Sequence, residues 1–110
     1  MELNHNCIRD ILVKVQKETD VIFDETTFQN YEPDEVQYHI RYCDKLGCFN
    51  KTEAWIDNSY NIVDLSPYGH AILQHIKDDT VFKKIKTFLV EKGLPFALDT
   101  IIEALKQLHI

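Results

Sequence analysis

His39, Cys43 and Cys48 are the side chains of this sequence with the most obvious chemistry. The first two stand one helical turn apart, and an imidazole with two thiolates is a zinc-binding donor set. A closed tetrahedral site needs a fourth donor. The remaining thiol, Cys7, and its neighbour His5 lie far upstream and would have to fold over the other three, so the favoured reading is reduced thiols in a core and no metal. An odd number of cysteines, three, also argues against a disulfide framework. Asp78 and Asp79 with Glu103 offer carboxylates for acid–base work, yet adjacent acids ahead of a helix are accounted for by capping and the helix dipole. His70 and His75 do not share one helical face, and each reads as a packing or capping residue. With only Gly47, Gly69 and Gly93, the chain has no phosphate-cradling loop or nucleophile elbow, and it has no paired-histidine zinc motif. The expectation is a protein with no enzymatic activity and no cofactor.

The residues that could recognise something sit on a helix. Glu32-Pro33-Asp34-Glu35 opens it, with proline where its missing N–H costs nothing and carboxylates near the positive end of the dipole. Val36, Ile40, Cys43 and Leu46 form an apolar stripe, and Gly47 suits the left-handed residue just past the end. The opposite face presents Gln37, Tyr38, Arg41, Tyr42 and Lys45. From Cys48 to Leu65 the period changes to two: Thr52, Ala54 and Ile56 alternate with Phe49, Lys51, Glu53 and Trp55, and Tyr60 and Ile62 alternate with Asn61, Val63 and Leu65. Asp57-Asn58-Ser59 supplies the turn, and Trp55 and Tyr60 are expected to pair across it. Ser66-Pro67 then caps and opens another helix, in which Tyr68, Ala71, Ile72 and Ile76 form the apolar side and Gly69 permits close approach to the hairpin backbone.

The flanks are simpler. Cys7, Ile8, Ile11, Leu12 and Val15 recur at helical spacing and predict a first helix from about Asn4 to Lys17. Val21 to Phe23 form a brief β-like run, and Asp24 to Tyr31 is polar and irregular; the stretch reads as a first short strand followed by a loop, or as a loop holding one helical turn, with the loop favoured. Asp78-Asp79-Thr80 marks a break and a new cap, followed by a stripe of Val81, Phe82, Ile85, Phe88 and Leu89 that ends at Gly93. After Leu94-Pro95, a last helix carries Ile101, Ile102, Leu105 and Leu108, which must bury on the preceding helix or on a second copy. The fold class expected is α+β: one winged-helix-like domain over residues 1–110, with a two-stranded hairpin wing and a C-terminal helical extension from about residue 80 to 110.

Composition agrees with a folded chain: 45% apolar and 27% charged residues lie outside the disordered range, and 110 residues suffice for one core. No apolar run is long enough to cross a bilayer and the first residues lack a secretion signal, so a soluble, cytoplasmic protein that avoids membranes is expected. Charge complicates a nucleic-acid reading. Over residues 31–65, Glu32, Asp34, Glu35, Asp44, Glu53, Asp57 and Asp64 outnumber Arg41, Lys45 and Lys51, and the whole chain carries −6. Phosphate binding relies on Lys and Arg, so an acidic reading surface loses affinity and association rate. From Ser66 onward the lysines gain, with Lys83, Lys84 and Lys86 close together.

The run from His39 to Phe49, HIRYCDKLGCF, followed by Leu65 to Leu73, LSPYGHAIL, and Ile76 to Phe82, IKDDTVF, resembles a winged-helix-like family of phages and prophages of Gram-positive bacteria, a domain of unknown function. The likeness covers most of the chain after about residue 30 and extends loosely into the first helix. Gly69-His70 together with Asp78-Asp79-Thr80-Val81 is its most specific part. Ser66 and Phe82 stand where the family pattern has Thr and Trp. The resemblance implies a winged-helix core and an origin in mobile elements, and it implies no catalytic residue.

Two functions follow as expectations. In the first, the protein is a DNA-binding regulator: Gln37, Tyr38, Arg41, Tyr42 and Lys45 read duplex DNA, Lys51 flanks them, and the C-terminal helices support a homodimer. In the second, an acidic surface carrying Glu53, Trp55, Asp57 and Tyr60 docks on a basic host or phage protein, and DNA is not bound.

Overall fold

The computed structural model describes residues 1–55 and 59–110 of the chain, so Asp57 and Asn58 of the expected turn, with Ile56, lie outside the described residues. Helix α1 (His5–Glu18) begins where Asn4 caps it, the Asn4 side-chain oxygen accepting the main-chain N–H groups of Asn6 and Cys7 at 3.1 and 3.2 Å. Its stripe of Cys7, Ile8, Ile11, Leu12 and Val15 is fully buried. The helix ends in two residues with positive φ, Thr19 and Asp20, and the Asp20 N–H donates to Val63 O at 2.7 Å.

That turn delivers the chain into β1 (Val21–Phe23), so of the two readings open for these residues the short strand holds and the favoured loop does not. Three β-like residues are too few to fix a strand by themselves; their pairing comes from far along the chain. Val21 lies opposite Ile62, Ile22 opposite Asn61 and Phe23 opposite Tyr60, antiparallel to β3 (Tyr60–Leu65), which also pairs with β2 (Phe49–Ala54). The hairpin is therefore part of a three-stranded antiparallel sheet of order β1-β3-β2. Val21, Phe23 and Ile62 face the core, while Ile22 is half exposed on the other side. Residues 24–32 form turns. Asp24 accepts hydrogen bonds from the N–H and hydroxyl of Thr26, which hold its carboxyl below the usual range, and the Tyr31 hydroxyl donates to Asp10 at 2.6 Å.

Helix α2 (Pro33–Leu46) precedes the β2–β3 hairpin and α3 (Pro67–Ile76) follows it. Helix α4 (Asp79–Lys92) starts at the Asp78 cap and ends at left-handed Gly93, and α5 (Leu98–Gln107) turns back against it. The expected stripes hold in part: on α3 Ile72 and Ile76 are buried while Tyr68 and Ala71 are half-buried and Leu73, outside the expected stripe, is buried, and on α4 Phe82, Ile85 and Leu89 are buried while Val81 and Phe88 are half-buried. Ile101 and Ala104 of α5 are buried in the same cluster as the α1 stripe, with Leu105 and Leu108 packed at its edge. Ile102 and Ile110 stay outside it, 37% and 53% exposed. Phe96, in the loop before α5, is fully buried and has no counterpart among the expected core residues. Among the described residues no helix is long and apolar enough to cross a membrane.

Candidate nucleic-acid interface

The last turn of α2 explains how its outer face is held. Gly47, at φ +93°, donates to Asp44 O and Cys43 O at 3.1 Å, and the Cys48 N–H donates to Cys43 O at 2.9 Å. This pattern is a Schellman cap, which brings together the side chain three residues inside the helix end and the one just past it. Here both are cysteines. The Cys43 thiol hydrogen-bonds the Cys48 sulfur, which raises the pKa of Cys43 well above its ordinary value and lowers that of Cys48. Both thiols are free and fully buried.

Immediately after the cap, β2 begins, and the start of α3 closes over the junction. Ser66 ties the two together: its N–H donates to Cys48 O at 2.8 Å, its hydroxyl donates to Gly47 O, and the same oxygen accepts the Gly69 N–H at 3.0 Å. A methyl group on Gly69 would overlap the Cys48 carbonyl oxygen, so the close approach expected of this glycine is present. Helix α2 and the hairpin are thus fixed to each other by main-chain contacts.

On the outer face, Tyr38, Arg41, Tyr42 and Lys45 line one shallow concavity of about 160 Å³. Arg41 and Lys45 are exposed and the two tyrosines half-buried. Arg41 reaches the Tyr60 hydroxyl at 3.4 Å. Tyr42 differs from the others, because its hydroxyl donates to Phe96 O at 2.6 Å; burial, with Cys43 close by, pushes its phenol up. Gln37 lies apart from this group in a crevice with Phe23, Ile40 and Tyr60. Lys51 is exposed on β2 at φ +73°, level with Val63 in a ladder whose neighbouring pairs are Asn50 with Asp64 and Thr52 with Ile62.

The alternative acidic surface is only partly brought together. Glu53 and Trp55 are exposed, Trp55 by 44%. The register sets Ala54 opposite Tyr60, and the Trp55 N–H donates to Ser59 O at 2.9 Å, so Trp55 and Tyr60 are not directly opposed as expected. Asp57 lies outside the described residues.

His39, weighed above as a zinc donor, is fully buried and both ring nitrogens are engaged. Nε2 accepts the Asn4 N–H at 2.7 Å, which places the proton on Nδ1, and Nδ1 donates to Glu35 O at 2.7 Å. The Asn4 side-chain amide also donates to a Glu35 carboxylate oxygen at 3.2 Å. His39 therefore joins the start of α1 to α2. The sequence signal was its place on the buried stripe, three residues after Val36 and four before Cys43. Among the described residues no group of three or more His, Cys, Asp or Glu could hold a metal ion.

A family model described as "Hypothetical protein (DUF2513)" matches residues 2–95, which span the site and every element from α1 to α4. The chain belongs to this family. Helix α5 lies beyond the matched residues. An "Uncharacterized protein" of Haemophilus influenzae is 27% identical over 105 residues, covering 92% of this chain and 89% of the relative. No solved structure matches the chain at a significant level.

Proposed function

We propose that this DUF2513 protein is a non-enzymatic binding module of winged-helix type that holds duplex DNA on the outer face of α2, a regulator of the kind carried by phages and prophages. The observation supporting this most is the gathering of Tyr38, Arg41, Tyr42 and Lys45 in one concavity on a helix that runs directly into the hairpin. A strand order of β1-β3-β2, with one helix before the hairpin and one after it, is consistent with a winged helix. In this reading α2 enters the major groove, Arg41 and Lys45 meet phosphates or base edges, Tyr38 adds a flat apolar contact, and Lys51 flanks the groove from β2. Tyr42 shapes the concavity from the side, its hydroxyl held by Phe96. Ile102 and Ile110 are exposed apolar groups of the C-terminal extension available, with Val90, for pairing two copies on two half-sites.

The test is a salt titration of binding to random duplex DNA. Affinity should fall as salt rises, and Arg41→Ala and Lys45→Ala should each reduce the slope of log affinity against log salt by about 1. Absence of binding at low salt overturns the proposal.

The acid excess in residues 31–65 favours a second reading, in which Glu53 and Trp55 contact a basic protein and no DNA is bound. Glu53→Lys should then abolish capture of that partner while Arg41→Ala leaves it unchanged; the reverse pattern removes this reading.

A further inference from the structure

Away from the residues assigned to DNA, α4 and the end of α5 enclose an open groove of about 390 Å³. Phe88 and Leu108 form its floor, and Lys83, Lys84, Thr87 and Glu91 its rim. Both rim lysines are exposed, and a third, Lys92, holds its ammonium 6.0 Å from the centre of the Phe88 ring. Among the described residues none of these three lysines has a carboxylate within ion-pair distance. Glu91 is the single acid of the lining. In a chain of net charge −6, this is a local reversal of sign around an apolar floor.

The combination selects its occupant. A phosphate backbone or small anion would satisfy the lysines but leave Phe88 and Leu108 in water. An apolar ligand alone would do the opposite. A second copy related by a two-fold axis would bring the same cationic rim onto itself, which like charges oppose. We propose that the groove docks an acidic amphipathic segment of a partner protein, one apolar side chain seated between Phe88 and Leu108 and its flanking carboxylates on Lys83 and Lys84. The volume is that of a small-ligand pocket, room enough for one anchor side chain, and interface anchors characteristically seat in such desolvated pockets. Such a partner would attach to α4 and α5 with the α2 face still open.

The test is selection of a random 12-residue displayed peptide library on the folded full-length protein. Enriched sequences should combine an aromatic or aliphatic anchor with neighbouring Asp or Glu. In titration they should weaken tenfold or more against Lys83→Glu/Lys84→Glu, a change confined to exposed positions, whose thermal midpoint verifies the fold. Four results overturn the proposal: no enrichment; enriched sequences without an acidic bias; equal binding to the charge-reversed protein; and a dimer, broken by Leu108→Glu, that occupies the groove. Loss of DNA binding by Arg41→Ala with peptide binding intact would separate this surface from the α2 reading.

Discussion

The main-chain N–H of Asn4 points at the ring of His39, 2.7 Å from Nε2 and 35 positions away in sequence. One residue thereby caps α1 with its side chain and anchors that cap to α2 with its backbone. This explains why an imidazole sits in an otherwise apolar stripe. It is the acceptor for a partly buried N–H, and a donor left unpaired on full burial costs about 1–3 kcal/mol.

His39→Ala should therefore destabilise the fold by about 2–3 kcal/mol, combining the stranded Asn4 N–H with the cavity left by the ring. Denaturant unfolding measures this directly. A loss below about 0.5 kcal/mol would show that the contact contributes nothing net.

Gly69→Ala puts two effects in opposition. Alanine favours a helix by about 1 kcal/mol over glycine. The added methyl group, however, would overlap the Cys48 carbonyl oxygen and lie 3.0 Å from its carbonyl carbon, both backbone atoms that cannot rotate away. The overlap should win, with a net loss of about 2 kcal/mol or more. A raised melting temperature in this variant would mean that α3 and the hairpin are free to separate.

Tyr42→Phe removes the hydroxyl that holds Phe96 O. The expected cost is about 1 kcal/mol, with faster amide exchange in the loop before α5 and unchanged affinity for DNA. A variant of normal stability with weakened DNA binding would instead make this phenol a reading group.

His5 gives a pH dependence. Its pKa is lowered by burial first, then by the nearby Lys86 charge, and its ring lies 5.5 Å from that of Phe96. A histidine with a depressed folded pKa takes up its proton more readily when unfolded, so stability is fully present above the ordinary value of 6.5 and falls as pH drops through it toward the folded value. His5→Phe keeps the ring and removes the titration, so denaturation midpoints between pH 7.5 and 5 should slope less than in the parent. Parallel slopes would place the acid sensitivity elsewhere. Asp24, whose folded pKa is also depressed, acts in a lower window: its contribution is present above the ordinary carboxylate value of 3.8 and lost as pH falls through the folded one.

What could be read from the sequence was local. The α2 stripe, its Gly47 cap, the Ser66-Pro67 opening, the Asp78 cap and the permissive Gly69 each depend on neighbours within a turn, and each stands where residue spacing places it. The larger departures depend on distant partners. Val21–Phe23 is a strand only because β3 is there to pair with it. Phe96 sits between Pro95 and Ala97 with no periodicity to mark it as core. The α2 face shows the same division: helical spacing groups Tyr38, Arg41, Tyr42 and Lys45, but nothing within the helix reveals that the Tyr42 hydroxyl is held by a loop 54 residues later.

The left-handed backbone of Lys51 bears on how this molecule behaves among its own kind. A sheet ordered β1-β3-β2 has two open sides, one a strand of three residues and the other interrupted midway by a charged residue in a conformation that extended chains do not share. Neither side offers an incoming chain a long, straight template, so fibrous stacking is disfavoured at the backbone level.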